Sequence, residues 1–236
     1  MNLLILSLAP VFVIAAYIYF RDKYEKEPIR LLIFALLAGA LAVVPIMLLE
    51  FFLARYANAF PHYISAAYQA FVVAAFSEEL FKYIALYLLI WKSSEFNEKF
   101  DGIVYAVYVS LGFAAVENVL YVMNGGMSTG ITRAITAVPA HAIFGVTMGF
   151  YFGLARFYEV ERAALKRKAL LYPLLLHGIY DFILFTGIAW LTVVFVAFVV
   201  YLYISGLKRI KELSSVSIYN TDYNLLNEKF SRDQEK

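Results

Sequence analysis

Long apolar stretches separated by short polar loops run through most of this chain. Several are long enough to cross the roughly 30 Å hydrocarbon core of a bilayer as α-helices. They cover residues 3–20, 31–53, 66–90, 102–122, 131–155, 169–186 and 188–206. The last two are separated by little more than Gly187, which predicts a tight helical hairpin. The pattern therefore predicts an all-α fold, a polytopic membrane bundle of about seven transmembrane helices.

The basic residues lie mainly in alternate loops, and this sets the expected orientation. The first, third and fifth loops and the segment after the last span hold most of the Lys and Arg, whereas the other loops hold only Arg55 and Arg133. By the positive-inside rule the N-terminus is outside and the C-terminus is cytoplasmic. Residues 1–20 lack a basic n-region and a small-residue cleavage site, which favours a first span over a cleaved signal peptide. We expect residues 1–211 to form the transmembrane domain and residues 212–236 a polar cytoplasmic tail.

Composition supports the membrane assignment and excludes several classes of protein. The 236 residues are 63% hydrophobic and 16% charged, with a mean hydropathy of +0.72, which is far from an ordinary soluble domain. A net charge of +2 without a basic patch argues against a nucleic-acid partner. The absence of cysteine excludes disulfides, thiol nucleophiles and sulfur-based zinc sites, so any metal would be held by His and carboxylate groups.

Ionisable side chains lie inside four of the apolar stretches. A charged group at the centre of a membrane helix costs roughly 2.5 to 3.5 kcal/mol even on the lenient insertion scale, so such groups indicate chemistry or transport. Counting along each helix from its outer end places all of them between the outer surface and the midplane, at overlapping depths. The sequence therefore predicts one site in the outer half of the membrane, formed by Glu78, Glu79 and Lys82, by Glu117 and Asn118, by His141, and by His177 and Asp181.

The spacing within two of these groups predicts specific contacts. Lys82 lies four residues after Glu78 and three after Glu79, so it can neutralise either carboxylate and leave the other available. Asp181 lies four residues after His177 and can fix the tautomer of its imidazole. A buried salt bridge and a hydrogen-bonded packing histidine are the structural alternatives for these two groups.

Other polar and small residues predict scaffold roles. Gly145, Gly149 and Gly153 follow the small-xxx-small spacing that lets a helix approach a neighbour closely. We expect Glu50 to reach the membrane interface as an anchor. His62 falls in an outer loop, where the sequence offers it no identifiable partner.

The residue types at the predicted site match hydrolysis of an unactivated bond by water. A Glu can act as general base, a second acidic group can donate to the leaving amine, and His or Asn can stabilise the oxyanion. The same set could instead bind a divalent metal through His and Glu, in which case bound water is the nucleophile. Both mechanisms stay open. A glutamic-type peptidase, in which a Glu activates water, needs no cofactor, whereas the sequence does not determine whether a divalent metal is bound. No Gly-x-Ser-x-Gly or His-Glu-x-x-His motif occurs.

Two further classes use similar residues. A proton- or ion-coupled transporter also needs buried Glu, Lys, His and Asp, but it predicts polar groups that reach both faces of the membrane. A catalytically silent scaffold or immunity protein would tolerate loss of the carboxylates. Within the enzyme class, a prenyl-protein (CAAX-type) endopeptidase would place its site nearer the cytoplasmic face.

Five ordered motifs resemble those of PrsW-type intramembrane proteases. They are 76–82 (FSEELFK), 101–105 (DGIVY), 112–118 (GFAAVEN), His141 with Gly145, and 177–181 (HGIYD), and the segment 22–28 (DKYEKEP) also matches. The likeness runs from about residue 20 to about residue 211, and it extends to the wider group of CAAX-processing and bacteriocin-immunity-type membrane proteases.

The resemblance implies an activity and residue roles that the composition alone does not provide. It implies site-1 cleavage of a single-pass anti-sigma factor on the extracytoplasmic side, in a bacterial envelope-stress response. It also implies that Glu78 and Glu79 activate water, that His177 is essential, and that Glu117 and His141 complete the site. Lys82, Asn118 and Asp181 would support these residues.

Overall fold

The computed structural model describes residues 3–217, and within them the chain is helical with no β-strand. The predicted all-α bundle is therefore confirmed, whereas most of the predicted tail lies outside the described residues. The α-helices are α1 (Leu3–Arg21), α2 (Ile29–Ala54), α3 (His62–Tyr68), α4 (Phe76–Ile90), α5 (Asp101–Ile135), α6 (Ala137–Phe157), α7 (Arg162–Phe185) and α8 (Leu191–Ser215). A 3₁₀ turn (Ala57–Ala59) follows α2, and a π-helical segment (Gln69–Ala75) joins α3 to α4 without a break.

The surface of the bundle is apolar. Phe12, Leu41, Leu88 and Val193 are each more than 60% exposed, among many other large apolar residues. Apolar surface of this extent has to be covered by lipid or protein. In the described part of the chain five helical segments are long and apolar enough to cross a membrane, namely Leu3–Arg21, Ile29–Ala59, Asp101–Phe157, Arg162–Phe185 and Leu191–Ser215. The count of seven spans and the orientation stay predictions.

The break predicted between residues 122 and 131 does not exist as a loop. Helix α5 continues to Ile135, interrupted only at Gly126, and α6 begins at Ala137. Gly126 has φ 72° and ψ −160°, a conformation open to glycine because it lacks a Cβ. Asn124 and Thr129 bond to backbone carbonyls four residues earlier, which lets these polar residues remain helical. The helix therefore changes direction at Gly126 and returns toward the bundle.

Glycines allow α6 to pack directly on the first half of α5. A Cβ at Gly149 would lie 2.2 Å from the carbonyl oxygen of Gly102, and one at Gly153 would lie 2.1 Å from that of Lys99. These distances are far below van der Waals contact, so backbone meets backbone there. The close approach predicted from the glycine spacing is confirmed.

Helix α2 makes an equally close crossing on another side of α5. A Cβ at Gly39 would lie 1.9 Å from the carbonyl oxygen of Val109, and one at Gly112 would lie 1.9 Å from that of Leu36. Helix α5 is therefore held at the centre of the bundle between α2 and α6. Glu117, just beyond this crossing, consequently faces the interior rather than lipid.

Candidate active site

The acidic pair on α4 is held by a lysine of the same helix. The ammonium of Lys82 donates to Glu78 Oε2 at 2.9 Å and to Glu79 Oε1 at 3.0 Å, as the spacing predicts. Lys82 and Glu79 are fully buried, and Glu78 is 4% exposed. Lys82 Nζ also lies 4.1 Å from the centre of the Phe113 ring. The two carboxylates thus share one cation in a site from which water is largely excluded.

Helix α7 brings His177 against this pair. Its Nδ1 lies 3.0 Å from Glu79 Oε1, and its Nε2 lies 3.3 Å from Asp181 Oδ2 and 3.9 Å from Glu78 Oε1. The approach depends on Gly178, where a Cβ would lie 2.1 Å from the ring of Phe71 in the π segment. The π segment directly precedes the first turn of α4, which carries Glu78 and Glu79. Irregular π turns inside helices are frequent at functional sites.

His141 on α6 completes the cluster from the opposite side. Its Nε2 lies 2.9 Å from Glu117 Oε2, and its Nδ1 lies 3.3 Å from Lys82 Nζ and 3.9 Å from Glu78 Oε2. The two imidazole rings are 5.4 Å apart between centroids. The convergence of four helices predicted from residue depth is therefore present in the structure.

Arg133 belongs to this cluster, although its position in the sequence predicted an outer loop. Its Nη2 donates to Glu117 Oε2 at 2.6 Å, and its Nε donates to Asn118 Oδ1 at 2.8 Å. The guanidinium also lies 4.1 Å from the centre of the Tyr121 ring. The turn at Gly126 causes this placement, because it directs the last part of α5 back over Glu117. The sequence does carry a signal for this turn: the pair Gly125-Gly126 comes a few residues before Arg133, which is the only Lys or Arg between residues 100 and 155.

Asn118 is engaged within the protein instead of facing the site. Its Nδ2 donates to the carbonyl oxygen of Ser7 on α1 at 2.7 Å, while its Oδ1 accepts from Arg133. The residue is fully buried. It therefore holds Arg133 and links α5 with α1, and it does not line the open space beside the cluster.

That open space is a cavity of about 510 Å³. The carboxylate, imidazole and guanidinium groups that line it are Glu78, Glu117, Arg133, His141, His177 and Asp181, together with Glu50. Glu50 was expected to be an interfacial anchor, but it faces this cavity from α2. Glu79 and Lys82 do not line the cavity and lie behind Glu78. His62 lies elsewhere, with its Nε2 3.1 Å from the carbonyl oxygen of Thr186.

The donor set fits a divalent metal ion. Glu78, Glu79, His141 and His177 each offer one ligand atom, and these atoms lie within 4.8 Å of one another. Glu79 Oε2 is buried without a hydrogen-bond partner. Carboxylates also contact the other nitrogens of the imidazoles, as they do around metal-bound histidines. The ammonium of Lys82 contacts three of the same groups, so it would compete with a metal for their lone pairs.

The fold and this site define a polytopic helical membrane protein with a buried carboxylate and imidazole centre of the hydrolytic type. Residues 27–205 match the model of a family described as PrsW family intramembrane metalloprotease. This chain belongs to the PrsW family of intramembrane proteases, and it is a peptidase of the membrane. The expected resemblance is confirmed, and a transporter is no longer needed to explain the buried charges.

Several relatives match over most of this chain. The Protease PrsW of Geobacillus kaustophilus is 40% identical over 80% of this chain and 82% of its own length. That of Oceanobacillus iheyensis is 38% identical over 93% of this chain and 100% of its own length. That of Bacillus subtilis is 35% identical over 90% of this chain and 95% of its own length. No solved structure matches the chain.

Proposed function

We propose that this peptidase cleaves a single-pass membrane protein near its extracytoplasmic juxtamembrane segment, with Glu78 as the general base for water. The observation that carries the proposal is the convergence of Glu78, His141 and His177 on one cavity. Glu78 is favoured over Glu79 because Glu78 lines that cavity, whereas Glu79 is fully buried behind it.

The reaction is an addition of water followed by expulsion of an amine. Glu78 takes a proton from water as the water oxygen forms a bond to the peptide carbonyl carbon. His177, whose Nε2 lies 3.9 Å from Glu78 Oε1, donates to the resulting oxyanion, whereas His141 Nδ1 accepts from the ammonium of Lys82. The proton held by Glu78 then passes to the amide nitrogen as the carbon–nitrogen bond breaks. The products are a carboxylate and an amine.

The remaining polar residues position these groups. Lys82 holds the Glu78 carboxylate by a hydrogen bond at 2.9 Å, and this bond fixes which oxygen is free. Glu117 orients His141, and Asp181 orients His177. Glu117 holds His141 Nε2, the nitrogen away from Glu78. Glu79 likewise holds His177 Nδ1, whereas Asp181 contacts Nε2, the nitrogen that also lies 3.9 Å from Glu78. Fixing both rings reduces the reorganisation needed during the reaction.

A metal ion is the second candidate for water activation, favoured by the donor set described above. Glu78, Glu79, His141 and His177 would hold it. Four carboxylates, Glu78, Glu79, Glu117 and Asp181, face two permanent cations in this centre, so it has a formal excess of negative charge. When bound, such an ion lowers the pKa of water and polarises the peptide carbonyl.

The cavity has apolar as well as polar lining, which fits a membrane-embedded peptide. Val43 and Met47 of α2 and Leu184 and Phe185 of α7 line it together with the ionisable groups. A segment that leaves the bilayer could place its apolar part against these residues and its scissile bond near Glu78. The resemblance to the PrsW family supports an anti-sigma factor as this substrate, cleaved at site 1 in an envelope-stress response.

Purified protein and single-pass anti-sigma-factor candidates provide the direct test. The unmodified chain should release a shortened extracytoplasmic fragment, and Glu78→Gln, Glu79→Gln and His177→Ala should not. Glu159→Gln, at an exposed surface ion pair, is the matched control. Loss of cleavage with a chelator and its rescue by one specific metal would favour the metal mechanism. Full cleavage by all three site variants would disprove the site.

A further inference from the structure

A second group of acidic residues lies at the other end of α5, away from the cavity. Asp22, Glu25 and Glu27 come from the loop between α1 and α2, and Glu98 and Asp101 come from the loop between α4 and α5 and the first residue of α5. All except Glu25 are at most 3% exposed. Burial of this many carboxylates in one place requires compensation.

Three of these carboxylates are oriented by donors that use one oxygen of each. Glu25 Oε1 accepts from Asn97 Nδ2 at 2.9 Å, and Glu27 Oε2 accepts from the hydroxyl of Tyr105. Asp101 Oδ2 accepts from the backbone N–H groups of Asn97 and Glu98 at 2.9 and 2.7 Å. These donors fix the three side chains in place and leave the second oxygen of each carboxylate unused.

Those second oxygens are buried and have no partner. Glu25 Oε2, Glu27 Oε1 and Asp101 Oδ1 share this property, as do Asp22 Oδ1 and Asn97 Oδ1. One oxygen from each of Glu25, Glu27 and Asp101 lies within 4.8 Å of the others. No Lys or Arg among residues 3–217 forms a salt bridge with any of these acidic groups; Lys26 instead bonds to the carbonyl oxygen of Tyr19.

The protein groups present leave this charge uncompensated. Asp22, Glu27 and Glu98 are at most 3% exposed, so burial makes their ionised forms unfavourable without a counter-charge. Either shared protons or a bound cation could supply the compensation. A cation explains the additional feature that one oxygen from each of the three carboxylates lies within 4.8 Å of the others, while hydrogen bonds from neighbouring groups hold each carboxylate in position.

We propose that Glu25, Glu27 and Asp101 bind a hard divalent cation, Mg²⁺ or Ca²⁺, that joins the α1–α2 loop to the start of α5. The donors are all oxygen, which is the set that these ions prefer and that zinc sites rarely use alone. Asn97 Oδ1 and Asp22 Oδ1 are nearby acceptors for water bound to the ion. This site is separate from the Glu78 centre, and its role is to fix the helix that carries Glu117.

The test is cation-dependent thermal stability of the purified full chain, measured after chelator treatment and removal of the chelator. Millimolar Mg²⁺ or Ca²⁺ alone should raise the Tm by about 5 °C or more, since a ligand bound only by the folded state stabilises it. Separate titrations with each ion distinguish Mg²⁺ from Ca²⁺. The rise should be lost in Asp101→Asn and in Glu25→Gln, the latter a partly exposed position where the variant should fold readily.

Two controls assign the response to this site. Glu95→Gln removes a charge from the same loop without touching the three ligands and should keep the full rise. Glu78→Gln should also keep the full rise in Tm, because the Glu78 centre is separate from this acidic group. An unmodified chain whose Tm does not respond to either ion would overturn the proposal, and so would an equal rise in Glu25→Gln and Asp101→Asn.

Discussion

Replacing Glu78 with Gln separates the effect on catalysis from the effect on stability. Gln has nearly the same shape and keeps an oxygen that can accept from Lys82, but it cannot take a proton from water. Lys82 also keeps its 3.0 Å contact with Glu79, so the buried ammonium is still compensated. The change therefore removes the base while the ion-pair network persists in part.

The two effects differ in size. General-base catalysis contributes about 10² to 10⁴ in rate, equal to about 2.7 to 5.5 kcal/mol of transition-state stabilisation. The stability cost is the loss of one charge-assisted hydrogen bond, about 1 to 2 kcal/mol, because a neutral one replaces it. For a chain of this size the corresponding fall in Tm is about 2 to 8 °C.

Initial cleavage rates of a single-pass substrate in detergent or liposomes measure the first effect, and thermal unfolding of the same samples measures the second. We expect kcat to fall about 100-fold or more, with Glu159→Gln unchanged in both assays. A Glu78→Gln variant that keeps more than about a tenth of the activity would refute the assignment of Glu78 as the base, because loss of a general base costs about 100-fold or more.

Three further outcomes follow from the contacts. Lys82→Met leaves the Glu78 and Glu79 carboxylates buried without their cation, so the free energy of unfolding should fall by about 3 to 5 kcal/mol. Added Zn²⁺ should restore this stability if the two carboxylates hold a metal ion. A variant that is as stable as the unmodified chain without metal would contradict the ion pairing. Gly112→Ala places a methyl group 1.9 Å from a backbone oxygen of α2 and should cost about 1 to 3 kcal/mol or prevent accumulation, whereas a stable variant would mean that α2 can move away. With a chelator present, the Tm should fall as the pH rises from about 5 to 8, because burial raises the folded-state pKa of Glu27 to about 7 and disfavours its ionised form. A Tm that is constant over this range would contradict the burial argument.

Local spacing predicted the contacts within one helix. Lys82 with its two glutamates and His177 with Asp181 pair as expected, because residues three and four apart face the same side of a helix regardless of the surrounding fold. The membrane class and the convergence of the four polar groups also followed from the sequence, since charges inside apolar helices are too costly to be scattered over the lipid surface.

The tertiary structure decided which groups meet across helices. Arg133 reaches Glu117 only because Gly126 turns α5 back, and no periodic pattern announces the direction taken after a residue with positive φ. The tertiary structure also decided that Glu78 lines the cavity whereas Glu79 is buried behind it. Adjacent residues point to different sides of a helix, and the position of α7 determines which side faces the cavity and which faces the core. Sequence alone determined which residues had to be sheltered from lipid, because that depends on each side chain's own transfer free energy. The partner of each residue depends on backbone distances between helices, and these are set only when the glycines of α2, α5 and α6 come into contact.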